Sequence, residues 1–259
     1  MAVILEIIFV GTGSGKTQLK RFHTSLFIKN GNHNLLIDTG DGISKALLYQ
    51  NINLNDIDSI FITHTHADHF SGISSLLTQM KMAKRIKPLK IFVNNLFINF
   101  VRSFLYYSFL FPKTFNFEVK ILGFDSDIEI KLNDSFSLIP IKNTHIYNKY
   151  NVNVLPNNIF TSNSVFIKSK DSSVYYSSDI SSISDLTPIY KFNPKYFIVE
   201  STHISFNELV NFIINSDLFK TFLVHINDND GIVEKYSELE DEIRKKMFLT
   251  FDGMNSILT

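Results

Sequence analysis

The chain contains no cysteine among its 259 residues. This absence excludes disulfide frameworks, zinc sites built from thiolates and cysteine nucleophiles. Any metal ion must therefore be held by histidine and carboxylate side chains. An excess of one charge is also missing, because 25 Lys and Arg residues balance 25 Asp and Glu residues. A neutral chain has no overall field for gripping a long polyanion, so long nucleic acids are disfavoured as partners.

An apolar run long enough to cross a bilayer is missing as well. The most apolar stretch, residues 96–112, contains Arg102 and falls short of the roughly 20 apolar residues that a spanning helix needs. The first ten residues lack the basic segment and the small-residue cleavage site of a signal peptide. We therefore expect a cytoplasmic protein without a membrane segment.

No Pro/Gly linker, repeat or low-complexity tract divides the chain, so we expect residues 1–259 to form a single domain. Apolar runs of strand length recur along it, often joined by short turns, which favours antiparallel or mixed sheets. Apolar residues at helical spacing predict a helix after His69, on the pattern Ile73, Leu76, Leu77 and Met80. Two further helices are predicted near residues 205–216 and 233–246.

A glycine-rich segment at residues 11–17 (GTGSGKT) looks at first like a phosphate-binding P-loop. That motif needs a glycine where this chain has Val10, and residues 18–29 pass into a strand-like run instead of the required helix. A nucleoside triphosphatase is therefore disfavoured. The glycines instead indicate a tight turn where the backbone approaches another strand or a ligand.

A second motif places four potential metal ligands within six residues, His64-Thr65-His66-Ala67-Asp68-His69. It lies between a predicted strand and a predicted helix. The alternating His64 and His66 can face one metal ion while Asp68 and His69 turn toward a second. The segment therefore predicts a two-metal site.

Together with this motif, several shorter ones give the chain a resemblance to the metallo-β-lactamase superfamily, and within it to the ribonuclease Z-like phosphodiesterase branch. The matching motifs occur in the family's order: FVGTGSG at 9–15, IDTG at 37–40, HTHADH at 64–69, NTH at 143–145, SSD at 177–179, LVH at 223–225 and FDGM at 251–254. The resemblance implies an α/β (α+β) fold, the αββα sandwich of two mixed β-sheets flanked by helices. It also places the metal ions at one edge of both sheets.

The resemblance implies two divalent metal ions per chain, with zinc as the first expectation and manganese, iron or nickel as alternatives. The implied ligands are His64, His66 and His145 for one ion, Asp68, His69 and His225 for the other, Asp179 bridging both, and Asp38 behind the ligands. Two such ions with two carboxylates and one bridging hydroxide carry about one positive charge, which suits a phosphodiester anion. The hydroxide would attack phosphorus.

The chain departs from true ribonuclease Z at the features that grip tRNA. Only 34 positions separate His145 from Asp179, which leaves little room for the tRNA-binding arm. Val199 replaces a histidine of the family, and only Arg21 remains of the basic loop. With the zero net charge, these departures favour a small phosphodiester or nucleotide. A cyclic nucleotide, such as an immune or second-messenger signal, is the leading substrate.

Further residues are expected near the substrate. Asp68, His203 and Glu200 are the candidate catalytic residues, because a histidine beside a glutamate can donate a proton to a leaving ribose oxygen. Weaker candidates for substrate binding are Arg21, His23, Arg102 and Tyr106. The aromatic segment 96–112 is expected to be core, a lid or the contact of a homodimer, since its Phe and Tyr content is difficult to cover on one helix face.

The sequence thus predicts a metal-dependent hydrolase, a dinuclear phosphodiesterase of a nucleotide-type substrate. Three alternatives stay open at this point: a tRNA 3′ endonuclease, a hydrolase of esters, thioesters or lactones, and a non-catalytic nucleotide-binding protein.

Overall fold

The computed structural model describes residues 5–150, 159–218 and 220–258, and fourteen strands within them form two sheets. The first sheet has seven strands: Leu5–Gly11 (β1), Ser25–Asn30 (β2), His33–Ile37 (β3), Ser59–Phe61 (β4), Leu89–Asn94 (β5), Val119–Phe124 (β6) and Asn255–Leu258 (β14). Their order is β14-β1-β2-β3-β4-β5-β6. Pairing is antiparallel from β14 to β3 and parallel from β3 to β6.

The second sheet also has seven strands: Ile130–Asn133 (β7), Phe136–Asn143 (β8), Ser162–Ser169 (β9), Ser173–Tyr176 (β10), Tyr196–Glu200 (β11), Lys220–Val224 (β12) and Met247–Leu249 (β13). Their order is β13-β12-β11-β10-β9-β8-β7. Pairing is antiparallel from β7 to β10 and parallel from β10 to β13. Both sheets are therefore mixed, as predicted.

Helices cover the outer faces of both sheets. They are Ile43–Tyr49 (α1), Ala67–Phe70 (α2), Ile73–Met82 (α3), Ile98–Tyr107 (α4), His145–Lys149 (α5), Pro188–Phe192 (α6), Phe206–Ile214 (α7), Ile232–Ser237 (α8) and Asp241–Arg244 (α9). One apolar cluster fills the space between the sheets, with Phe9 of the first sheet and Val165 of the second among its members. A second lies between the first sheet and α1, α3 and α4, and a third between the second sheet and α6, α7 and α8. This layering confirms the αββα sandwich.

Strand direction brings the ends of many strands to one edge of the sandwich. In the first sheet β1, β3 and β4 run the same way, because β1 and β3 are both antiparallel to β2. In the second sheet β8, β10, β11 and β12 share a direction for the same reason. Side chains that follow these strands therefore emerge at common edges.

The glycine-rich loop after β1 joins these two edges. The amide of Ser14 donates to the carbonyl of Ile226 at 3.0 Å, and the amide of Ile226 donates to the carbonyl of Thr12 at 2.8 Å. Asp252, in the closing motif, accepts from the Thr12 amide at 2.8 Å and from the Phe22 amide at 2.6 Å. The loop is thus a seam between the sheets, in agreement with the expected close approach of backbone.

The helix predictions are confirmed with two adjustments. The helix after His69 buries the four expected residues of α3, and α7 lies within the predicted 205–216. The single helix predicted over 233–246 is instead two short helices, α8 and α9. At the break the Ser237 hydroxyl donates to the carbonyl of Glu234 at 2.7 Å, and such bonds compete with continuation of a helix.

The aromatic segment 96–112 forms α4 and its flanking turns. Val101 and Leu105 are buried against the first sheet, so this face of the helix is ordinary core. Tyr106, Tyr107 and Phe109 lie on the other side and are 60%, 78% and 78% exposed. Within the described residues, no helix combines the length and apolarity needed to cross a membrane.

Arg85 is a fully buried cation that connects the two loops preceding β4 and β5. Its guanidinium donates to four backbone carbonyls at 2.6 to 3.0 Å, those of Leu54, Ile57, Lys87 and Pro88. The guanidinium also lies 5.4 Å from the ring centroid of Phe117. Burial lowers the pKa of Arg85, but the carbonyl oxygens satisfy its donors, so the charge is tolerated.

We predict that Arg85→Leu lowers the free energy of unfolding by at least about 3 kcal/mol, because several buried carbonyls lose their donor together. The exposed Arg102 supplies the control, and Arg102→Leu should change stability by less than about 0.5 kcal/mol. Urea denaturation of both variants measures the difference. Equal stability of the two would contradict the structural role of Arg85.

Candidate metal centre

Six strands deliver polar side chains to one edge of the sandwich. The residues that follow their carboxyl ends are Asp38 after β3, residues 64–69 after β4, His145 after β8, Asp179 after β10, His203 after β11 and His225 after β12. In the second sheet, Glu200 at the end of β11 pairs in register with Val224 at the end of β12. His203 and His225 therefore leave the sheet side by side, with ring centroids 5.2 Å apart.

The first donor set contains His64, His66, His145 and Asp179, whose potential ligand atoms lie within 4.8 Å of one another. His66 Nδ1 is 3.1 Å from His64 Nε2 and 3.4 Å from His145 Nε2. Asp179 Oδ2 closes the set at 3.9 Å from His64 Nε2 and 3.6 Å from His145 Nε2. Three imidazoles and one carboxylate oxygen converge here, a combination typical of zinc-type sites.

The second donor set contains Asp68, His69, His225 and again Asp179, also within 4.8 Å. Asp68 Oδ2 is 3.4 Å from both His69 Nε2 and His225 Nε2. Asp179 Oδ1 is 3.3 Å from His69 Nε2, and its Oδ2 is 3.4 Å from His225 Nε2. Asp179 therefore faces both sets, as a bridging carboxylate would.

The charge states of these groups suit metal binding. Burial lowers the pKa values of His66 and His145 to about 4, so both rings are neutral near pH 7 and offer a lone pair. Burial alone would raise the pKa of Asp179, but His225 and His69 outweigh it and hold that pKa well below its usual range. Neutral imidazole and ionised carboxylate are the forms that bind metals.

Unpartnered atoms test whether these residues fit a metal. Among the described residues, the buried His69 Nε2 and Asp179 Oδ1 make no hydrogen bond, although both lie inside the cluster. The opposite nitrogen of His69, Nδ1, donates to Asp38 Oδ2 at 2.7 Å, which directs Nε2 into the cluster. Burial would lower the pKa of His69, but Asp179 and Asp38 outweigh it and raise that pKa well above its usual value, so a metal ion at Nε2 would displace a proton there. Buried polar atoms rarely lack partners, so two facing orphans fit a divalent ion. The donor set therefore fits divalent metal binding.

Asp38 and the backbone hold this arrangement in place. Asp38 accepts from the amide of Thr63 at 2.8 Å as well as from His69. Asp38, Ser178 and His225 all have positive φ, at 63°, 50° and 56°. Residues other than glycine adopt this region rarely, and such strain is concentrated at functional sites.

Two glycines are needed for the close approach of neighbouring loops to Asp68. A Cβ on Gly40 would lie 1.9 Å from the carbonyl oxygen of Asp68, which is too close for any side chain. A Cβ on Gly15 would lie 2.9 Å from Asp68 Oδ2. The glycine-rich loop thus brings its backbone directly against a potential metal ligand.

His203 and Glu200 lie beside the donor sets. The fully buried Glu200 accepts from the amides of Thr202 and His203 at 2.7 and 2.9 Å, and its Oε1 is 3.1 Å from His203 Nδ1. His203 Nδ1 is also 4.0 Å from Asp179 Oδ2. Burial lowers the pKa of His203, but Glu200 outweighs it and the net shift is upward. The pair is therefore built to keep a protonated imidazole at the cluster.

A cavity of about 190 Å³ opens over the donor sets, and its wall includes residues that the sequence analysis missed. Lys16 and Lys149 are the cations in this wall, and Ser14, Thr202 and Asn227 contribute polar groups. The Ser14 hydroxyl is buried and has no hydrogen-bond partner in the described part of the chain. Lys16 belongs to the segment considered as a P-loop, and Lys149 ends α5 four positions after His145. Closeness in sequence to the glycine-rich loop and to His145 is the signal from which Lys16 and Lys149 could have been predicted.

The weaker predictions for substrate contact fare differently. Arg21 is not in this cavity, since its guanidinium donates to Asp228 Oδ1 at 2.8 Å and to the carbonyl of Thr250 at 2.9 Å. These contacts make it part of the seam between the sheets. His23 is likewise occupied, with Nδ1 2.8 Å from the Ser14 carbonyl oxygen. Arg102 and Tyr106 are exposed on α4, and neither lines this cavity.

Comparison with known proteins places the chain among metal-dependent hydrolases. A family model described as Anti-Pycsar protein Apyc1 matches residues 5–235. The Anti-Pycsar protein Apyc1 of Bacillus phage BSP38 is 28% identical over 247 residues, covering 86% of this chain and 90% of that protein. Ribonuclease Z of Methanocaldococcus jannaschii is 39% identical, but over only 35% of this chain and 28% of its own length.

Solved structures support the same fold. The metallo-β-lactamase fold protein YhfI of Bacillus subtilis superposes with a TM-score of 0.74 at 17% identity, covering 98% of this chain and 99% of that one. The short form of human tRNase Z gives 0.72 at 16% identity, covering 97% and 98%. At these identities the likeness concerns the fold.

We predict that the folded protein binds about two divalent ions per chain and that Asp68→Ala binds about one, because Asp68 belongs to the second donor set only. Elemental analysis after loading with zinc, and separately with manganese, measures the content. His33→Gln is the control, since His33 pairs with Ser59 and belongs to neither set. Equal metal content in the two variants would contradict the assignment of Asp68.

Proposed function

The chain belongs to the Anti-Pycsar protein Apyc1 family, and from that premise we propose that it is a metal-dependent phosphodiesterase that hydrolyses a cyclic nucleotide. The observation that carries the proposal is the pair of His/carboxylate donor sets joined by Asp179. A cyclic-nucleotide substrate also makes the cytoplasm the proposed location.

We propose zinc as the metal, two ions per chain, because imidazole nitrogens supply three of the four donors in the first set and two of the four in the second, and imidazole suits zinc better than manganese. When bound, the ions would supply positive charge for the phosphate and activate water. The proposed ligands are those of the two sets, with Asp179 shared and Asp38 orienting His69.

The residues around the donor sets have separate proposed roles. Lys16 and Lys149 attract the phosphodiester anion to the cavity, and the unpartnered Ser14 hydroxyl donates to a phosphate oxygen. His203 donates a proton to the leaving ribose oxygen. Because Glu200 engages Nδ1 of His203, Nε2 is the nitrogen that carries this proton.

The test of this function is a panel of substrates offered to the zinc- and manganese-loaded protein. It contains cyclic mononucleotides, linear dinucleotides, bis(p-nitrophenyl) phosphate and a precursor tRNA. We expect turnover to be fastest with a cyclic nucleotide. Cleavage of the tRNA alone would replace the proposal with an endonuclease, and hydrolysis of esters or lactones without any phosphodiester would replace it with another metallo-hydrolase.

The role of His203 gives a second prediction. In His203→Ala, turnover of a cyclic nucleotide should fall at least about 100-fold, because the ribose oxygen leaves poorly without a proton. Hydrolysis of bis(p-nitrophenyl) phosphate should fall less than about 5-fold, because nitrophenolate is stable without one. Steady-state kinetics of both substrates measure the contrast. Parallel losses would show that His203 positions the site and does not donate the proton.

We also propose that the protein is a homodimer whose contact includes Tyr106, Tyr107 and Phe109. All three are large, mostly exposed aromatic residues, and such patches on a protein surface mark contacts with a partner. Phe109 also has a positive φ of 57°, which is unfavourable for a bulky residue. The turn that ends α4 accounts for this backbone, because the amide of Leu110 donates to the carbonyl of Leu105 at 2.9 Å and the amide of Phe109 to that of Tyr106 at 3.0 Å. The exposed rings therefore carry the dimer proposal.

Phe109→Glu should therefore shift the protein toward monomers, since the variant places a carboxylate in an apolar contact. Ile128→Glu is the matched control, because Ile128 is 62% exposed and belongs to the connection between β6 and β7, outside the aromatic segment. Sedimentation velocity of both variants and the wild type distinguishes the states. A wild type that sediments as a monomer would end the dimer proposal. Leu105, on the same helix, is buried core and is not a suitable probe.

A further inference from the structure

A second cavity adjoins the donor sets. It has a volume of about 410 Å³, and His66 lines both this cavity and the smaller one over the cluster. The cavity is within the size range of small-molecule sites. Its position means that a ligand spanning the two cavities would place one end at the metal ligands and the other in this space.

The lining of this cavity is aromatic on two sides. Phe97 and Phe100 come from the start of the aromatic segment, and Tyr150 and Phe160 face the cavity from a different part of the chain. The rings of Tyr150 and Phe160 lie 6.2 Å apart. Phe100 and Tyr150 remain 47% and 43% exposed, so the described chain leaves them partly uncovered.

One contact connects this cavity to the cluster. The Tyr150 hydroxyl lies 3.3 Å from Nε2 of His66, whereas Nδ1 of the same ring faces His64 and His145. The imidazole of His66 is therefore the wall between a charged, polar space and an apolar one. A substrate that fits both must have an anionic end and a planar apolar end close to each other.

The polar groups of the larger cavity indicate how that end is recognised. Its described lining contains no Asp, Glu, Lys or Arg, and the hydroxyl groups are those of Thr65, Thr161 and Tyr150. A hydroxyl both donates and accepts, so it can pair with either kind of edge group on a heterocycle. Aromatic side chains stack on any base, because every base has a π-face.

We propose that this cavity binds the base of the nucleotide substrate by stacking while the phosphate lies at the donor sets. The inference rests on the proposed phosphodiesterase function and names the part of the substrate that gives it affinity. It also assigns base recognition to residues other than those expected from the sequence. Phe97 and Phe100 stack on the base, and the earlier candidates Arg102 and Tyr106 do not.

Nucleosides test the cavity without any turnover, because they have no phosphodiester. The metal-loaded protein is titrated with each of the four ribonucleosides, and ligand-observed NMR follows saturation transfer to the base protons. At least one nucleoside should bind, and Phe100→Ala should weaken it at least about tenfold through loss of stacking. Tyr190→Ala is the control, since Tyr190 is an exposed aromatic residue outside the cavity and should leave binding unchanged.

A second pair of variants separates the ring from the hydroxyl of Tyr150. Tyr150→Phe should keep nucleoside binding because the ring remains, whereas Tyr150→Ala should weaken it. Circular dichroism shows that each variant is folded. Unchanged binding in both Phe100→Ala and Tyr150→Ala, or no binding of any nucleoside to the wild type, would overturn the assignment. Displacement of nucleosides by dodecanoate with no effect of the aromatic variants would assign the cavity to acyl chains and overturn it as well.

Kinetics then separate this inference from the function on which it rests. Phe100→Ala should raise KM for a cyclic nucleotide and leave hydrolysis of methyl p-nitrophenyl phosphate, which has no base, within about twofold of wild type. Equal losses on both substrates would overturn base stacking. A wild type that binds nucleosides in this cavity but hydrolyses no phosphodiester would reject the function while the cavity keeps its ligand. Hydrolysis of cyclic nucleotides without any nucleoside binding would support the phosphodiesterase function and reject the assignment of this cavity to the base.

Discussion

The arrangement of this molecule depends on one buried carboxylate, Asp179, which is surrounded by imidazoles from both sheets. It is 2% exposed, and its two oxygens lie 3.3 to 3.9 Å from ring nitrogens of His64, His69, His145 and His225. A buried charge without compensation costs several kcal/mol, so this residue is tolerable only where cationic or polar partners converge on it. The ends of β4 in the first sheet and of β8, β10 and β12 in the second supply them, because the side chains that follow these strands converge at this edge.

The left-handed backbone at this edge follows from the same constraint. If a strand continued in extended conformation, its next side chain would lie on one face of the sheet. A residue with positive φ turns the chain, so its side chain takes a different direction within one residue. Asp38, Ser178 and His225 make this turn at the ends of β3, β10 and β12. The strain is local and is offset by hydrogen bonds such as Thr63 to Asp38. Glycine would adopt this backbone more easily, but the side chains of Asp38 and His225 are needed at the site, so these positions are not glycine.

The sequence predicts the local part of this site well and the distant part only through resemblance. Residues 64–69 are adjacent, so their spacing alone indicates metal binding. His145 and Asp179 are single residues far along the chain, and no periodicity marks them. The contact of Arg21 could not be predicted for the same reason, because its partner Asp228 lies 207 positions away. Strand and helix patterns repeat many times and predict mixed sheets, whereas the layered sandwich was implied by the resemblance. A single ion pair leaves no pattern.

In the aromatic segment, composition indicates that some residues make contacts beyond the core but does not indicate which residues make them. Its excess of rings indicates a contact beyond the core, but helical phase decides which ring makes it. Burial of Val101 and Leu105 turns Arg102 and Tyr106 outward, and only the rings before them, Phe97 and Phe100, reach the cavity beside His66. The segment therefore divides into three surfaces: one packs on the sheet, one lines the cavity beside His66, and one is exposed, where we propose the contact with a second copy of the chain. Binding energy gained on the second surface, away from the reacting bond, can position the phosphate at the cluster, which is how remote contacts accelerate a reaction.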